Sequence, residues 1–214
     1  GGITSESAAI EFSVADYCNA LLSGDYEQSA KTVAKDILNY GAAAQIFTGR
    51  HTDNLVNSWL TDDQRAVATA DRTPSNITNT TYETIANPTS KFNTVGIILE
   101  AAITVRYKIT VPTTEGVAVQ IKVSDKTFVI DAADFESLGN NQYYLYFDGL
   151  HSAQLSREIY ATVLKDGVAI SNTLQYSVES FVAAKVSDTK TDEKTLNLVK
   201  AMLRYGDAAY AFTH

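Results

Sequence analysis

Cysteine is almost absent. Cys18 stands alone among 214 residues, so no disulfide can form within the chain. It lies in an apolar helical context, which reads as a small buried hydrophobe rather than a reactive thiol. An excess of basic charge is also missing. Lys and Arg number 17 against 25 Asp and Glu, a formal net charge of −8 with pI about 4.8. A nucleic-acid partner requires a basic stripe, and an anionic membrane surface requires a basic patch; neither partner is expected. No apolar run reaches the ~18 residues of a membrane span, so no insertion is expected.

The motifs of catalysis are missing too. The three histidines, His51, His151 and His214, fit neither HExxH nor any metal-ligand spacing. There is no GxSxG, no GxxxxGK[ST] and no GxGxxG after a strand. No cofactor, metal or enzyme activity is therefore expected. Asp131, Asp134 and Glu136 cluster after a strand and read as a turn cap. The alternative is one half of a glycosidase acid/base pair formed at long range. Asp188, Asp192 and Glu193 read as a solvated linker.

What is present is ordered along the chain by hydrophobic period. Residues 1–72 read as helical. Tyr17 to Leu22 is a short apolar helix. Ser29 is a candidate cap for a second, in which Val33, Ile37, Leu38, Gly41, Ala44 and Ile46 keep near-3.6 spacing until Gly49. Thr61-Asp62-Asp63 offers caps for a short helix over Gln64 to Ala68. Residues 73–176 change to period two. Ile103, Val105, Tyr107, Ile109 and Val111 alternate with polar residues, as do Val117 to Val123, Tyr143 to Phe147 and Ile159 to Val163. Turn signals such as Gly139-Asn140-Asn141 and Asp166-Gly167 separate them. This predicts an antiparallel β-sandwich. Residues 177–214 return to helix, short over Phe181 to Val186 and long with Leu196, Leu198, Val199, Met202 and Leu203 on one face. The fold class predicted is α+β, mainly β: a sandwich flanked by two helical units, all within one compact domain.

The two helical units repeat one another. Leu38, Tyr40, Gly41, Ala43, Ala44, Phe47 and Thr48 match Leu203, Tyr205, Gly206, Ala208, Ala209, Phe212 and Thr213, 7 identities over the 11 positions 38–48 at an offset of 165. Phe12-Ser13-Val14 with Tyr17 matches Tyr176-Ser177-Val178 with Phe181 at an offset of 164. A glycine in a helix interior costs roughly 1 kcal/mol against alanine. Its repetition predicts a Gly-Ala-Ala face that admits a close neighbour, either the other long helix or the sheets.

Twelve tyrosines are the surplus. Tyr107, Tyr143 and Phe147 fall on inward-reading strand faces and are expected in the core. Tyr144 and Tyr146 fall on the opposite face, which is either an open stacking surface or a face covered by a helix. Trp59, the single tryptophan, lies in a polar segment between helices, as a core anchor or an exposed platform. Rings with a polar handle suit sugar faces and hydroxyls.

The stretches YSVESF…LVKAMLRYGDAAYAF, VAKDILNYGAAAQIFTGRHTDNLVN and YYLYFDGLHSAQLSREIYATVLKDGVAISNTLQYSVESF resemble a recurring module of large exported proteins of gut Firmicutes, especially ruminococci and clostridia. The resemblance covers most of the chain. Some ruminococcal relatives of this type are similar to starch-adherence proteins of cell-surface amylosomes. It implies an extracellular or cell-surface location in a Gram-positive bacterium and an α-glucan such as starch as ligand. It brings no catalytic motif, and Gly149, Gln154, Tyr205 and Gly206 are structural positions in it. Trp59 departs from the pattern, where small or aliphatic residues are usual. Gly1-Gly2 reads as an expression remnant, so the chain is expected to be part of a longer polypeptide whose other modules are its neighbours. The expectation is a non-catalytic carbohydrate-binding module of a secreted or cell-surface protein. Trp59, Tyr82, Tyr144 and Tyr146 would stack on sugar rings, with nearby Asn and Asp side chains bonding hydroxyls. The alternative is a structural or protein-interaction spacer.

Overall fold

The computed structural model describes residues 13–99 and 103–214. Phe12, one member of the sequence match above, lies outside them. The chain opens with two helices, α1 (Val14–Ser23) and α2 (Gln28–Thr48), and a short α3 (Asp62–Ala66). Ten strands follow: β1 (Asn79–Glu83), β2 (Lys91–Leu99), β3 (Ile103–Thr110), β4 (Val117–Val123), β5 (Lys126–Asp131), β6 (Glu136–Gly139), β7 (Gln142–Phe147), β8 (Glu158–Lys165), β9 (Val168–Ala169) and β10 (Thr173–Ser177). Helices α4 (Val178–Ser187) and α5 (Glu193–Thr213) close the chain.

Local chemistry sets the helix starts. Ser13, Ser177 and Asp192 cap α1, α4 and α5 by accepting backbone N–H bonds from Ala15, Ser180 and Thr195. Thr61 and Gln64 form a reciprocal capping box, so α3 begins two residues before Gln64. Ser29 does not cap α2. It lies inside the helix, whose N-cap is Glu27 with no side-chain bond. Gly49 stops α2 at φ 67°, a left-handed conformation that a side chain would resist.

The strands form two antiparallel sheets, one ordered β1-β10-β8-β4-β5 with β9 beside β8, the other β2-β3-β7-β6. Residues with positive φ make the tight turns: Asn140 and Asn141 between β6 and β7, Asp166 and Gly167 between β8 and β9. Period two then decides which side chains meet. Val105, Tyr107 and Ile109 from one sheet join Val119, Ile121, Ile159, Ala161 and Val163 from the other in a single fully buried cluster. Each large side chain so buried stabilises by roughly 1.5–3 kcal/mol.

The helices gather at strand ends rather than over the sheets. β10 runs through Ser177 directly into α4, and Val178, Val182, Val199, Met202 and Leu203 complete the same core. Leu99, at the end of β2, packs against Ala43 of α2 and Leu198 and Ala201 of α5. The long helices meet through Tyr40 and Tyr205, whose rings stack at 5.9 Å and 12°.

Neither helix glycine faces the other helix. A Cβ on Gly41 would lie 2.9 Å from the Val56 side chain, and one on Gly206 would lie 2.9 Å from Leu155 Cβ and 3.2 Å from the Ser152 carbonyl oxygen. Each bare helix face receives one plug, from the loop after α2 in the first case and the turn before β8 in the second. The first loop is tied down by Gln45, which bonds His51 O, Asn54 O and Val56 N, and by Asn39, which bonds Gln64 O and Asn57.

Asp36 is the costly residue of this interface. Its carboxylate is buried, with Lys35 Nζ 3.3 Å away. Burial pushes its pKa above the usual range, and Lys35 only partly opposes this. A raised carboxyl pKa means that the folded protein holds this proton more tightly than the unfolded chain. The penalty is therefore complete above the folded pKa, fades as pH falls through it, and is gone below the unfolded value of about 3.9. Asp36→Asn is expected to raise the melting temperature at neutral pH, with the gain shrinking toward zero in acid; an equal gain at all pH values would refute this origin. Gly206→Ala is expected to destabilise by about 1–3 kcal/mol in urea unfolding, despite its better helix propensity, because backbone must move. Gly41→Ala, which meets one side-chain methyl of Val56 and no backbone, is expected to cost less.

Candidate functional site

The described helices gather at strand ends, and the outer sheet faces carry four tyrosines, of which Tyr82 and Tyr146 are exposed and Tyr144 and Tyr160 half-buried. On β7, Leu145 and Phe147 point into the core, so Tyr144 and Tyr146 point out. Tyr146 is 40% exposed. The two rings are 6.4 Å apart but tilted by 53°, so they do not form one flat surface. Arg106 of β3 lies over the Tyr144 ring at 4.7 Å. Tyr146 donates its hydroxyl to Glu136, which raises its pKa. One ring face and one hydroxyl of this pair are thus already engaged.

Trp59 is 43% exposed, in the loop after α2. Its indole N–H donates to Val56 O at 2.9 Å. It therefore steadies the residue that plugs Gly41 while leaving much of its ring in water.

Tyr82 lies elsewhere. It sits at a bulge in β1, 55% exposed, and its ring meets Tyr160 of β8 at 4.6 Å. Ile159, Ala161 and Val163 are fully buried, so Tyr160 belongs to the outer face of the larger sheet. Strand register builds two rows there. One runs Thr80, Gln175, Tyr160, Lys122, Thr127 across β1, β10, β8, β4 and β5. The next holds Glu83, Thr173, Thr162, Gln120 and Val129. Val129 is the one apolar member.

These rows are wired internally. Tyr160 donates to Glu158 at 2.6 Å, and Gln175 Nε2 approaches the Tyr160 hydroxyl at 3.5 Å. Thr162 and Thr173 bond at 2.8 Å, and Thr173 reaches Glu83 at 3.5 Å. The bond to Glu158, then partial burial, pushes the Tyr160 pKa up to about 12, so its hydroxyl stays a donor across the working pH range.

The four rings expected to act together therefore divide. Tyr144 and Tyr146 lie on one outer face, Tyr82 on the other, and Trp59 in the helical unit. Because the inner faces share one core, the two outer faces look in opposite directions. Tyr160 was missed as a partner of Tyr82, although its place between Ile159 and Ala161 already pointed it outward. Its pairing with Tyr82 depends on β1 and β8 being separated only by β10, which no local pattern reveals.

Asp131, Asp134 and Glu136 are all exposed, and Asp131 precedes a short 3-10 turn over Ala132–Asp134. Carboxylates converge instead on Arg72. Glu179 accepts from Arg72 at 2.9 Å, from Ser75 and from the Asn76 backbone, and Asp207 accepts from Arg72 and Ser156 at 2.9 and 2.8 Å. Glu179 is 0% exposed and cannot reach a ligand. A cleft of about 430 Å³ lies beside it, lined by Ser75, Asn76, Ser156, Arg157, Asp207 and Tyr210. Tyr210 there is stacked by Arg157 at 3.6 Å and by His214 at 4.2 Å. Among the described residues no three His, Cys, Asp or Glu side chains are grouped to hold a metal ion, and no helix is long and apolar enough to cross a membrane.

No protein-family model matches the chain, and neither curated proteins nor solved structures contain a significant match to it.

Removing one partner of a buried ion pair leaves the other charge uncompensated, at a cost of about 3–5 kcal/mol. Glu179→Ala is accordingly expected to lower unfolding free energy by that order in urea titration. A loss no larger than that of an exposed glutamate such as Glu193 would show that the cluster does not hold the fold.

Proposed function

We propose that this chain is a non-catalytic carbohydrate-binding module of a larger secreted or cell-surface protein. The observation that carries the proposal is a pair of tyrosines on each outer sheet face, one of each pair exposed, beside fixed polar side chains. Aromatic rings offer an apolar face to the C–H surface of a sugar, and neighbouring carboxylates and amides take its hydroxyls. The acidic balance and lack of a catalytic motif fit a neutral ligand held without chemistry. In this proposal the two sheets with their common core form a β-sandwich. The helical units, each a 10-residue helix followed by one of 21 residues, are internal repeats. The resemblance to exported modules of gut Firmicutes favours α-glucan as the ligand.

A second reading is a structural or protein-interaction spacer. The matched helix lengths and the buried Arg72–Glu179 pair favour it, since both serve rigidity.

Affinity electrophoresis in gels carrying amylopectin, glycogen or xylan tests the first reading. The protein is expected to migrate more slowly in at least one gel. A variant with Trp59, Tyr82, Tyr144 and Tyr146 all replaced by alanine, shown by its melting curve to fold, is expected to run as in a plain gel. Normal migration of the native chain in every gel, with capture of another exported protein in pull-downs, would sink glycan binding in favour of the spacer.

A further inference from the structure

We infer that the ligand surface is the outer face of the larger sheet, centred on Tyr82 and Tyr160, and that it takes an uncharged polysaccharide chain laid across strands β1, β10, β8 and β4. The inference rests on the carbohydrate-binding reading and assigns that reading a place and a ligand class.

Three observations separate this face from the others. First, Tyr82 leaves more than half of its surface in water although its ring is braced against Tyr160. Bracing fixes the ring without covering it, so little side-chain freedom remains to be lost on binding. The Tyr144 ring, in contrast, is overlaid by Arg106, and Trp59 stands without a second ring beside it among the described ring contacts.

Second, the polar groups around Tyr160 are held by one another. Glu158 accepts its hydroxyl, Gln175 stands at its other side, and Lys122 is its cross-strand neighbour. Glu158 keeps further acceptor sites after this bond, and Gln175 and Lys122 supply donors. A face carrying donors and acceptors at fixed spacing, with almost no apolar member, matches the edge of a sugar ring better than the side chains of a protein partner. From β1 to β4 the face spans ~14 Å at ordinary strand spacing, room for a short run of sugar units.

Third, the charge of the face selects among glycans. Glu83 and Glu158 stand beside the two rings and outnumber Lys122, in a chain whose formal net charge is −8. A uronate or sulfated chain brought against them meets repulsion that a neutral chain does not.

The test compares single variants in gels that carry amylopectin, xylan, galactomannan or polygalacturonate. Tyr82→Ala changes an exposed edge position and leaves the core intact. Tyr160→Phe keeps the ring but releases Glu158, and Tyr146→Ala reports on the opposite face. Melting curves establish that each variant folds. The expected result is retardation by a neutral polysaccharide, weakened roughly two- to tenfold in Tyr82→Ala, as loss of a ring stack predicts. A smaller loss is expected in Tyr160→Phe and none in Tyr146→Ala. Retardation lost in Tyr146→Ala and kept in Tyr82→Ala would overturn this placement while leaving carbohydrate binding standing. Retardation by polygalacturonate alone would overturn the neutral ligand class. Absence of retardation in every gel would remove the carbohydrate-binding reading and this inference with it.

Discussion

Glu179 is a carboxylate with no exposed surface, on the first turn of α4, where the chain leaves β10. A charge buried without partners is prohibitively costly, so the surrounding chain must supply them. The stretch between α3 and β1 does so. Arg72 reaches Glu179 and Asp207 together, Ser75 and the Asn76 backbone complete the carboxylate, and Ser177 and Ser180 bond the Asn76 and Thr78 carbonyls. The connector is thereby pinned against α4 and α5 at once. This one cluster joins the first helical unit, the first strand and the last two helices.

With the connector held there, the helices pack at strand ends, and the consequences reach the surface. A helix laid across a sheet would have covered one tyrosine pair. None of the described helices does, and Tyr82 and Tyr146 stay exposed, one on each outer face. The same alternation that fills the core with Tyr107, Leu145 and Ile159 makes Tyr146 and Tyr160 outward by necessity. Desolvation keeps the buried Tyr107 hydroxyl protonated, while for the outward pair a glutamate bond has the larger influence.

The repeated Tyr-Gly helix has a local explanation. Tyr40 and Tyr205 stack on one another across the helix pair, and the glycine after each opens a groove for a plug from another segment. The plugs differ in origin: Val56 follows its helix in sequence, whereas Leu155 precedes its own. The two grooves are alike because the helices are alike, and the segments that fill them are not. Val14 and Val178, matched in sequence, show the same asymmetry. Val178 is fully buried in the core, and Val14 is 57% exposed.

Much of this was legible in the residues alone. The change of period from 3.6 to two and back, the inward sets of β3, β4, β7 and β8, the outward Tyr144 and Tyr146, and the cap at Thr61 are local facts. They depend on spacing and on short-range hydrogen bonds. The partners were not legible. Tyr82 meets Tyr160 because β1 joins the sheet beside β10, a pairing across nearly one hundred residues. Arg72 meets Glu179 over a separation of 107 positions. Trp59 gave no sign that its N–H would hold the Val56 carbonyl. Sequence determined which side chains face in or out, because backbone period is a local property. Tertiary structure decided which outward side chains stand together, because strand order and helix placement are settled by burial of the whole core and of one charge within it.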